Sequence, residues 1–392
     1  MASLADQRRP STRASGVQPF RVMEVLDRAD ARRRAGHDVV LLCVGEPDQG
    51  TPEVALAAAR RSMADGDVHY TSALGIGPLR DAIAEMYRER LGVDVAPERV
   101  VVTTGASGAL LLALAATVDP GEDVLLADPG YPCNRHFLRV LGSAARAVAV
   151  DADTAWQLTA DRVSAAWDGD TAGVLVATPS NPTGTIVPAD ELEAITATVG
   201  RLGGTLFVDE IYGELVYDVD PSTVLAATED AFVINSFSKT FGMTGWRVGW
   251  LVCPTWAVPT VEALAQNLYI SPPTPSQHAA LGALSPAGWA VVAERVAEYR
   301  ARRDVLVAGL RDLGIGVPVV PEGAFYVYAD VSGLTDDSAA WCTRLLDEAD
   351  VAVTPGNDFG HHLADRHVRF SYATGIERIE LALDRLARFV TT

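Results

Sequence analysis

The chain contains 392 residues, of which 48% are apolar and 21% are charged. It is long enough to bury a sizeable core, and it exceeds the usual length of a single domain, about 100–200 residues. Acidic residues outnumber basic ones by 51 to 32, and the resulting net charge of −19 disfavours nucleic acid and anionic membrane surfaces as partners.

The N-terminal region does not have the sequence pattern expected of a signal peptide. Residues 1–15 are polar and lack the apolar block of a signal peptide, and we expect them to be disordered. No apolar run in the chain reaches the length of about 20 residues that a membrane span requires. We therefore expect a cytoplasmic protein with no membrane partner and no nucleic-acid partner.

The first three quarters of the chain alternate between strand and helix patterns. Residues 22–36 predict a short Arg-rich helix, which an apolar strand over 39–44 follows. From about Thr71 onward, apolar strands alternate with helices, which is typical of a parallel sheet covered on both faces. The strand candidates are 100–103, 124–127, 174–178, 205–208, 232–235 and 248–252, and the helices include 78–90, 109–118 and 188–201.

The last hundred residues have a different pattern. A long helical stretch over 288–313, rich in Ala, Glu and Arg, leads into a shorter section. This section predicts a second, smaller α+β domain. Its strand candidates are 317–320, 325–328 and 368–372, and its closing helices are 338–349 and 376–389.

The usage of cysteine and lysine restricts the chemistry. The four cysteines form no CxxC pair, so we expect neither a metal site nor a disulfide framework. Of the 32 basic residues 31 are arginine, and Lys239 is the only lysine. A GC-rich genome replaces lysine wherever positive charge alone suffices, so either Lys239 survives by chance or its primary amine is needed. An amine can attack a carbonyl to form a Schiff base, which a delocalised guanidinium cannot do.

Glycine-rich and polar clusters follow four of the predicted strands, at the edge where open α/β sheets bind ligands. The first, residues 104–108 (TGASG), opens a predicted helix, and its small residues let backbone N–H groups approach an anion. A tight turn without a ligand would have the same sequence. The second, residues 179–184 (PSNPTG), places Asn181 between two prolines, which indicates either an amide fixed at the sheet edge or a simple proline-rich turn.

The third cluster places an acid at the end of an apolar strand. Asp209 ends that strand, and Tyr212 comes three residues later. Burying a carboxylate is costly unless it meets a cation, and a protonated pyridine nitrogen would serve as one. The alternative is that Asp209 pairs with a local arginine or caps a helix.

The fourth cluster contains the only lysine. Ser236 and Ser238 precede Lys239 in the string NSFSKT, and Arg247 comes eight residues later. Hydroxyls and a guanidinium together favour a phosphate site, because arginine offers a forked set of donors to phosphate oxygens.

Several strings in this chain resemble one enzyme family. GEPD, NPTG, DEIY, SFSKT, MTGWRVG and VRFSYA occur in the order and spacing of the class I/II aminotransferases, which are pyridoxal 5'-phosphate (PLP) enzymes of the aspartate aminotransferase fold, fold type I. The resemblance runs from about Gly16 to Val390. It implies a mostly parallel central α/β sheet covered by helices, with a smaller α+β domain. The implied boundaries are an N-terminal segment 1–45 that joins the small domain, a large PLP-binding domain 46–285 and a C-terminal small domain 286–392.

The resemblance also implies a role for each matching residue. Lys239 would hold PLP as a Schiff base and later move the proton between Cα and C4′, and Asp209 would keep the pyridine nitrogen protonated. Asn181 and Tyr212 would hydrogen-bond the phenolic oxygen. For the others, Tyr131 would stack on the ring, Gly105, Ala106, Ser107, Ser236, Ser238 and Arg247 would hold the phosphate, Tyr70 would reach the phosphate of the partner subunit, and Arg369 would bind the substrate carboxylate beside Gly45 and Asn181.

The implied reaction is the ping-pong transfer of an amino group between an L-amino acid and a 2-oxo acid, in a homodimer with shared active sites. A PLP-dependent lyase, replacement or cyclising enzyme remains an alternative, because the same carbanion can partition in several ways. A non-catalytic PLP sensor fused to a DNA-binding domain is disfavoured by the acidic charge and by the roughly 15 residues that precede the similar region.

The sequence departs from those family members that act on dicarboxylates, many of which carry a basic residue in the glycine turn or receive one from the partner subunit. Ser107 occupies this turn here, and residues 267–274 contain no Arg or Lys. We therefore expect a substrate that is not restricted to dicarboxylates, with Arg135 and Arg21 as the remaining candidate cations. Apolar wall is expected from Phe20, Tyr269 and Trp246.

Overall fold

A computed structural model describes residues 9–391 of the protein. Seven of its strands form one large sheet, three form a smaller sheet and two form an isolated pair. The strands are β1 (Val40–Leu41), β2 (Val100–Thr103), β3 (Asp123–Asp128), β4 (Ala144–Ala149), β5 (Thr171–Ala177), β6 (Thr205–Asp209), β7 (Ala231–Ser236), β8 (Gly249–Val252), β9 (Tyr326–Asp330), β10 (Val351–Ala352), β11 (Thr354–Pro355) and β12 (His367–Ser371).

Helices cover the sheets and connect most of the strands. None of the helices within residues 9–391 is long and apolar enough to cross a membrane. They are α1 (Thr12–Ser15), α2 (Arg21–Arg34), α3 (Glu53–Ala64), α4 (Gly77–Leu91), α5 (Ala106–Thr117), α6 (Pro132–Leu141), α7 (Ala160–Ala166), α8 (Ala189–Leu202), α9 (Phe237–Thr240), α10 (Val258–Leu268), α11 (Thr274–Ala283), α12 (Pro286–Asp312), α13 (Ser338–Ala349) and α14 (Ile376–Val390).

The large sheet has the strand order β2-β8-β7-β6-β5-β3-β4. Only β8 runs antiparallel to its neighbours, pairing with both β2 and β7. Six carboxyl ends and the amino end of β8 therefore share one edge, and Gly249 lies beside both Thr103 and Ser236. This edge is where the polar clusters of the sequence converge.

Both faces of the large sheet are buried except along the edge strand β4, which explains why its other strands are largely continuous apolar runs. Successive residues of a strand point to opposite faces. Accordingly, Phe207 packs into the apolar cluster on one side of the sheet, whereas Val208 packs into the cluster on the other side. Val174 and Leu175 divide between the same two clusters.

The smaller sheet is antiparallel and has the order β11-β12-β9. A separate apolar cluster that includes Phe325, Leu345 and Phe370 packs around it. The N-terminal part of the chain reaches this region through β1, which pairs in parallel with β10. As a result, residues 40–45 lie beside the smaller sheet.

Most of the predicted elements are confirmed, and the strands predicted for the large sheet end within three residues of the observed ends. The strand over 317–320 is wrong: only Gly316 makes an isolated bridge, to Asp330, and Pro318 has no N–H with which to extend it. β4 was not predicted. The disorder expected over 1–15 is wrong for Thr12–Ser15, which forms one helical turn capped by Ser11; residues 1–8 lie outside the described part of the chain.

Candidate active site

A cavity of about 300 Å3 lies at the carboxyl edge of the large sheet, where residues of β9 and β12 also face it. Most of the site residues proposed from sequence line this one cavity, although they are far apart in the chain. They are Gly45, Ala106, Ser107, Tyr131, Asn181, Asp209, Tyr212, Ser238, Lys239, Arg247 and Arg369.

Lys239 sits on the short helix α9, which starts directly after β7. Ser236 caps this helix, because its Oγ accepts a hydrogen bond from the Ser238 N–H at 3.1 Å. The Lys239 Nζ donates to the Gly45 carbonyl oxygen at 2.7 Å. Burial lowers the pKa of Lys239 from 10.5 to about 8, an effect that the Glu46 carboxylate opposes and the Arg369 guanidinium reinforces. A larger fraction of this amine is therefore neutral near pH 7 than in an exposed lysine.

Asp209 is a carboxylate at the end of β6 with little to neutralise it. Burial raises its pKa from 3.8 to about 6, although the Ile211 N–H donates to Oδ1 at 3.1 Å and Lys239 lowers the value. Within residues 9–391 Asp209 forms no ion pair, which rules out the local arginine partner considered from sequence. A buried carboxylate in this state fits a cationic ligand group such as a protonated pyridine nitrogen.

The glycine turn and Arg247 form a cradle that fits a phosphate. Gly105 has φ +77°, a backbone conformation that strains other residues and favours glycine, and a Cβ at this position would lie 2.7 Å from Arg247 Nη2. The first turn of α5 has no side-chain cap and no acidic residue, which leaves its N-terminus available to an anion. Ser107, Ser238 and Arg247 surround this point.

Ser236 lies behind this cradle. Its side chain is fully buried, and its Oγ donates to the Val248 carbonyl oxygen at 3.0 Å. It also lies 2.8 Å from the Ser238 Oγ. Ser238 lines the cavity whereas Ser236 does not, and the phosphate contact that the resemblance implies for Ser236 stays a prediction.

Arg369 is a buried cation, only 3% exposed, on β12. Its Nη1 donates to Asn181 Oδ1 at 2.9 Å, its Nη2 donates to the Cys43 carbonyl oxygen at 2.7 Å, and its Nε has no partner. No carboxylate within residues 9–391 forms an ion pair with it, so the strand salt bridge considered from sequence is not present. A buried guanidinium without a counter-charge fits a substrate carboxylate.

Two tyrosines make contacts that the sequence did not indicate. The Tyr212 hydroxyl lies 2.9 Å from the hydroxyl of Tyr326, a residue that sequence reasoning missed. Tyr326 starts strand β9 inside an apolar run, and nothing in its local sequence signals a site. The Tyr131 ring stacks on Phe20, with ring centres 6.2 Å apart and an angle of 27° between the planes.

Some expected residues do not line the cavity. Tyr70 is 80% exposed and does not face this chain's cavity, so its predicted contact in a partner subunit stays a prediction. Arg135 is directed elsewhere, and its Nη2 donates to the Asp358 carbonyl oxygen at 2.8 Å. Phe20 does line the wall, but Tyr269 and Trp246 do not, and the Trp246 Nε1 donates instead to Thr51 Oγ1 at 2.8 Å.

Comparison with known proteins identifies the family. The family described as "Aminotransferase class I and II" matches residues 37–386. The chain belongs to this family. It is a PLP-dependent aminotransferase that acts on amino acids and 2-oxo acids, and its α/β fold is of type I, as the sequence predicted. The described residues contain no group of three or more His, Cys, Asp and Glu side chains that could hold a metal ion.

Three full-length matches illustrate the similarity. The chain is 43% identical to a valine–pyruvate aminotransferase of Mycobacterium tuberculosis, covering 96% of this chain and 97% of the relative. It is 37% identical to the aspartate/prephenate aminotransferase of Thermus thermophilus, covering 96% and 98%. A crystal structure of an aminotransferase from Mycobacterium tuberculosis superposes with a TM-score of 0.95 at 43% identity, covering 98% of this chain and 100% of that one. These matches support transamination over the lyase and replacement alternatives.

Proposed function

We propose that this aminotransferase holds PLP through Lys239 and transfers amino groups by a ping-pong mechanism between an L-amino acid and a 2-oxo acid. One observation carries the proposal: Lys239, Asp209 and Arg369 line the same cavity, and none of them forms an ion pair with another residue of the described chain. Unpaired charges in a buried site are costly, so their retention together indicates a ligand that supplies the missing partners.

Each part of the cavity would hold one part of the cofactor. Bound PLP supplies an electron sink for the charge that is left when the substrate Cα loses its proton. Asp209 would pair with the ring nitrogen, and Tyr131 would cover the ring face. The amide of Asn181 and the hydroxyl of Tyr212 would donate to the phenolic oxygen. The phosphate would be held by Ser238, Arg247 and the backbone of Gly105, Ala106 and Ser107.

Lys239 has the properties of the base that this reaction needs. Its pKa of about 8 lies close to neutral pH, where a general base is most effective. Its Nζ would take the proton from the substrate Cα. Without a bound ligand, the hydrogen bond to the Gly45 carbonyl oxygen directs the amine toward residues 45–46.

The substrate would be oriented by its carboxylate and selected by its side chain. Arg369 would bind the α-carboxylate, with Gly45 at the rim of the cavity. The other cations that line the cavity within the described chain are Lys239 and Arg247, which the cofactor engages, so a distal carboxylate would lack a partner from this chain. Apolar residues of the wall favour a neutral side chain; they include Phe20, Val22, Met23, Leu110 and Phe137.

A single-turnover screen tests this proposal. The PLP-loaded protein is mixed with one amino acid at a time, and its absorbance is followed as the cofactor converts to pyridoxamine phosphate. We expect conversion with amino acids that have neutral side chains, and regeneration on addition of a 2-oxo acid. Absence of conversion with every L-amino acid would contradict the proposed reaction.

We also propose that the protein is a homodimer with shared active sites. Two neighbouring segments support this assembly, the one around Tyr70 and residues 267–274. They are linked by a hydrogen bond from the Thr71 N–H to Ser271 Oγ at 3.4 Å. Tyr70, Leu268 and Ile270 are exposed on these segments and available to a partner subunit. The domain limits 1–45, 46–285 and 286–392 and a cytoplasmic location stay proposals from sequence. Sedimentation of the loaded enzyme tests the assembly, and a fully active monomer would contradict it.

A further inference from the structure

Tyr326 lies at the junction of the groups assigned to the cofactor and to the substrate. It is the first residue of β9, its side chain is fully buried, and it lines the active-site cavity. Its hydroxyl lies 2.9 Å from the Tyr212 hydroxyl. The Arg369 guanidinium lies 4.4 Å from the centre of its ring. A single side chain thus contacts both halves of the proposed site.

The environment of the Tyr326 hydroxyl favours one of the two possible directions for its hydrogen bond with Tyr212. Arg369, whose guanidinium lies over the Tyr326 ring, has only donors and cannot accept a hydrogen bond. On another side the Tyr326 oxygen packs closely on Gly45, where a Cβ would lie only 3.0 Å away, and the Gly45 carbonyl oxygen accepts from Lys239 Nζ. Within residues 9–391, the Tyr212 hydroxyl is therefore the acceptor within hydrogen-bond distance of the Tyr326 hydroxyl.

We propose that Tyr326 is a positioning residue whose hydroxyl donates to Tyr212 and thereby directs the Tyr212 proton toward the phenolic oxygen of the cofactor. Each hydroxyl has one proton, so a Tyr212 that accepts from Tyr326 keeps its own proton free for the cavity. Hydrogen bonds in such a chain polarise one another, which strengthens the terminal donor. The inference rests on the proposed function, because it requires that Tyr212 contact the cofactor.

The hydrogen-bonded pair in which Tyr326 donates to Tyr212, here called the relay, predicts a spectroscopic effect. A stronger donor at the phenolic oxygen stabilises its deprotonated form, so the relay lowers the pH midpoint of the absorbance change of the PLP-loaded protein. Tyr326→Phe removes one oxygen and keeps the ring under Arg369. We expect it to raise this midpoint by about 0.5–1 pH unit, the effect of losing one buried neutral hydrogen bond. We also expect kcat to fall several-fold while KM for the amino acid stays within about twofold.

A matched control separates the relay from the loss of any buried hydroxyl. Tyr328 lies two residues further along β9, is equally buried and does not line the cavity, and its hydroxyl has no hydrogen-bond partner among residues 9–391. Tyr328→Phe should leave the midpoint unchanged. An equal shift in both variants would overturn the proposal. Tyr326→Leu is a second variant; it should shift the midpoint in the same direction and also raise KM, because Arg369 loses its aromatic support.

A double-mutant cycle with Tyr212→Phe distinguishes failure of the relay from failure of the proposed function. The relay requires that Tyr212→Phe shift the midpoint and that adding Tyr326→Phe change it no further. If Tyr212→Phe shifts the midpoint and Tyr326→Phe does not, the relay is wrong and the role of Tyr212 stands. Additive shifts would also overturn the relay. If Tyr212→Phe has no effect, the proposed contact between Tyr212 and the cofactor is itself wrong.

Discussion

The side-chain oxygen of Asn181 accepts a hydrogen bond from Arg369 Nη1 at 2.9 Å, although the two residues are 188 positions apart in the chain. A guanidinium only donates, so this contact fixes which end of the amide faces Arg369. The amide nitrogen of Asn181 is then left to donate elsewhere. Asn181 therefore connects the group proposed for the substrate carboxylate to the group proposed for the phenolic oxygen, and a change at either end should affect the other.

Removing the amine of Lys239 should abolish transamination. Because the chain has no other lysine, reduction of the PLP-loaded protein with borohydride should label Lys239 or the amino terminus alone. Lys239→Ala should lose at least ~10³-fold in rate, as expected when a nucleophile and general base are removed together. Lys239→Arg is the matched control, since it keeps the charge but not the reactive amine. Near wild-type turnover in either variant would end the assignment.

Neutralising Asp209 should slow the reaction. Asp209→Asn keeps the size of the side chain but removes the charge proposed to hold the ring nitrogen in its protonated form. Loss of a preorganised electrostatic partner typically costs on the order of 10²–10³-fold in kcat. Steady-state kinetics and cofactor titration measure the effect. Unchanged turnover together with unchanged cofactor affinity would refute this role.

The same substitution should stabilise the protein when the cofactor is absent. Burial raises the Asp209 pKa to about 6, above its ordinary value of 3.8, so ionisation costs the folded state more than the unfolded state. The cost is absent below pH 4, grows between about pH 4 and pH 6, and is complete above that. Asp209→Asn should therefore raise the free energy of unfolding at pH 7 by on the order of 1–3 kcal/mol.

Urea unfolding of the cofactor-free protein at pH 4 and pH 7 measures this difference. The exposed Asp94 provides the control, because Asp94→Asn removes one negative charge without relieving a buried one. An Asp209→Asn protein that is less stable than wild type at pH 7 would show that the carboxylate is compensated in the folded chain.

Replacing Arg369 should affect recognition of the substrate carboxylate. Arg369→Lys keeps the charge but loses the planar fork and the paired contacts to Asn181 and Cys43. We expect KM for amino acids to rise about 10–100-fold, as for the loss of a charged hydrogen bond worth about 1.5–3 kcal/mol. An amine that lacks the carboxylate should react at the same low rate with both proteins. If the variant slows both substrates equally, Arg369 does not bind the carboxylate.

Substrates with neutral side chains should be used at least as well as dicarboxylates. The measurement is kcat/KM for aspartate and glutamate against alanine, methionine and phenylalanine, at a fixed 2-oxo acid. A preference for aspartate greater than about 100-fold, or roughly 2.7 kcal/mol, would mean that a cation reaches the pocket after all. Arg135→Ala would then be the first variant to make, although its guanidinium contacts the Asp358 carbonyl and does not line the cavity.

Residues at strand ends were predictable from sequence, whereas residues outside that pattern were not. Asn181, Asp209 and Lys239 each follow an apolar strand, and parallel strands bring their carboxyl ends to one edge. Tyr326 lies at the opposite kind of position, at the start of a strand in the smaller sheet, where the local pattern signals only burial. Trp246 was expected in the wall but does not line the cavity, although its neighbour Arg247 does, because neighbours in sequence can point to different sides of a turn.

The strand β1 has a consequence for how the protein is made. Val40–Leu41 pairs with Val351–Ala352, and the Cys43 carbonyl receives its hydrogen bond from Arg369, which is 326 residues later. At a synthesis rate of about 5–20 residues per second, these partners emerge roughly 15–65 s after the segment they hold. The segment that carries Gly45 can therefore make all of its contacts beside Lys239 only when nearly the whole chain has left the ribosome. The first catalytic turnover is thus tied to completion of translation.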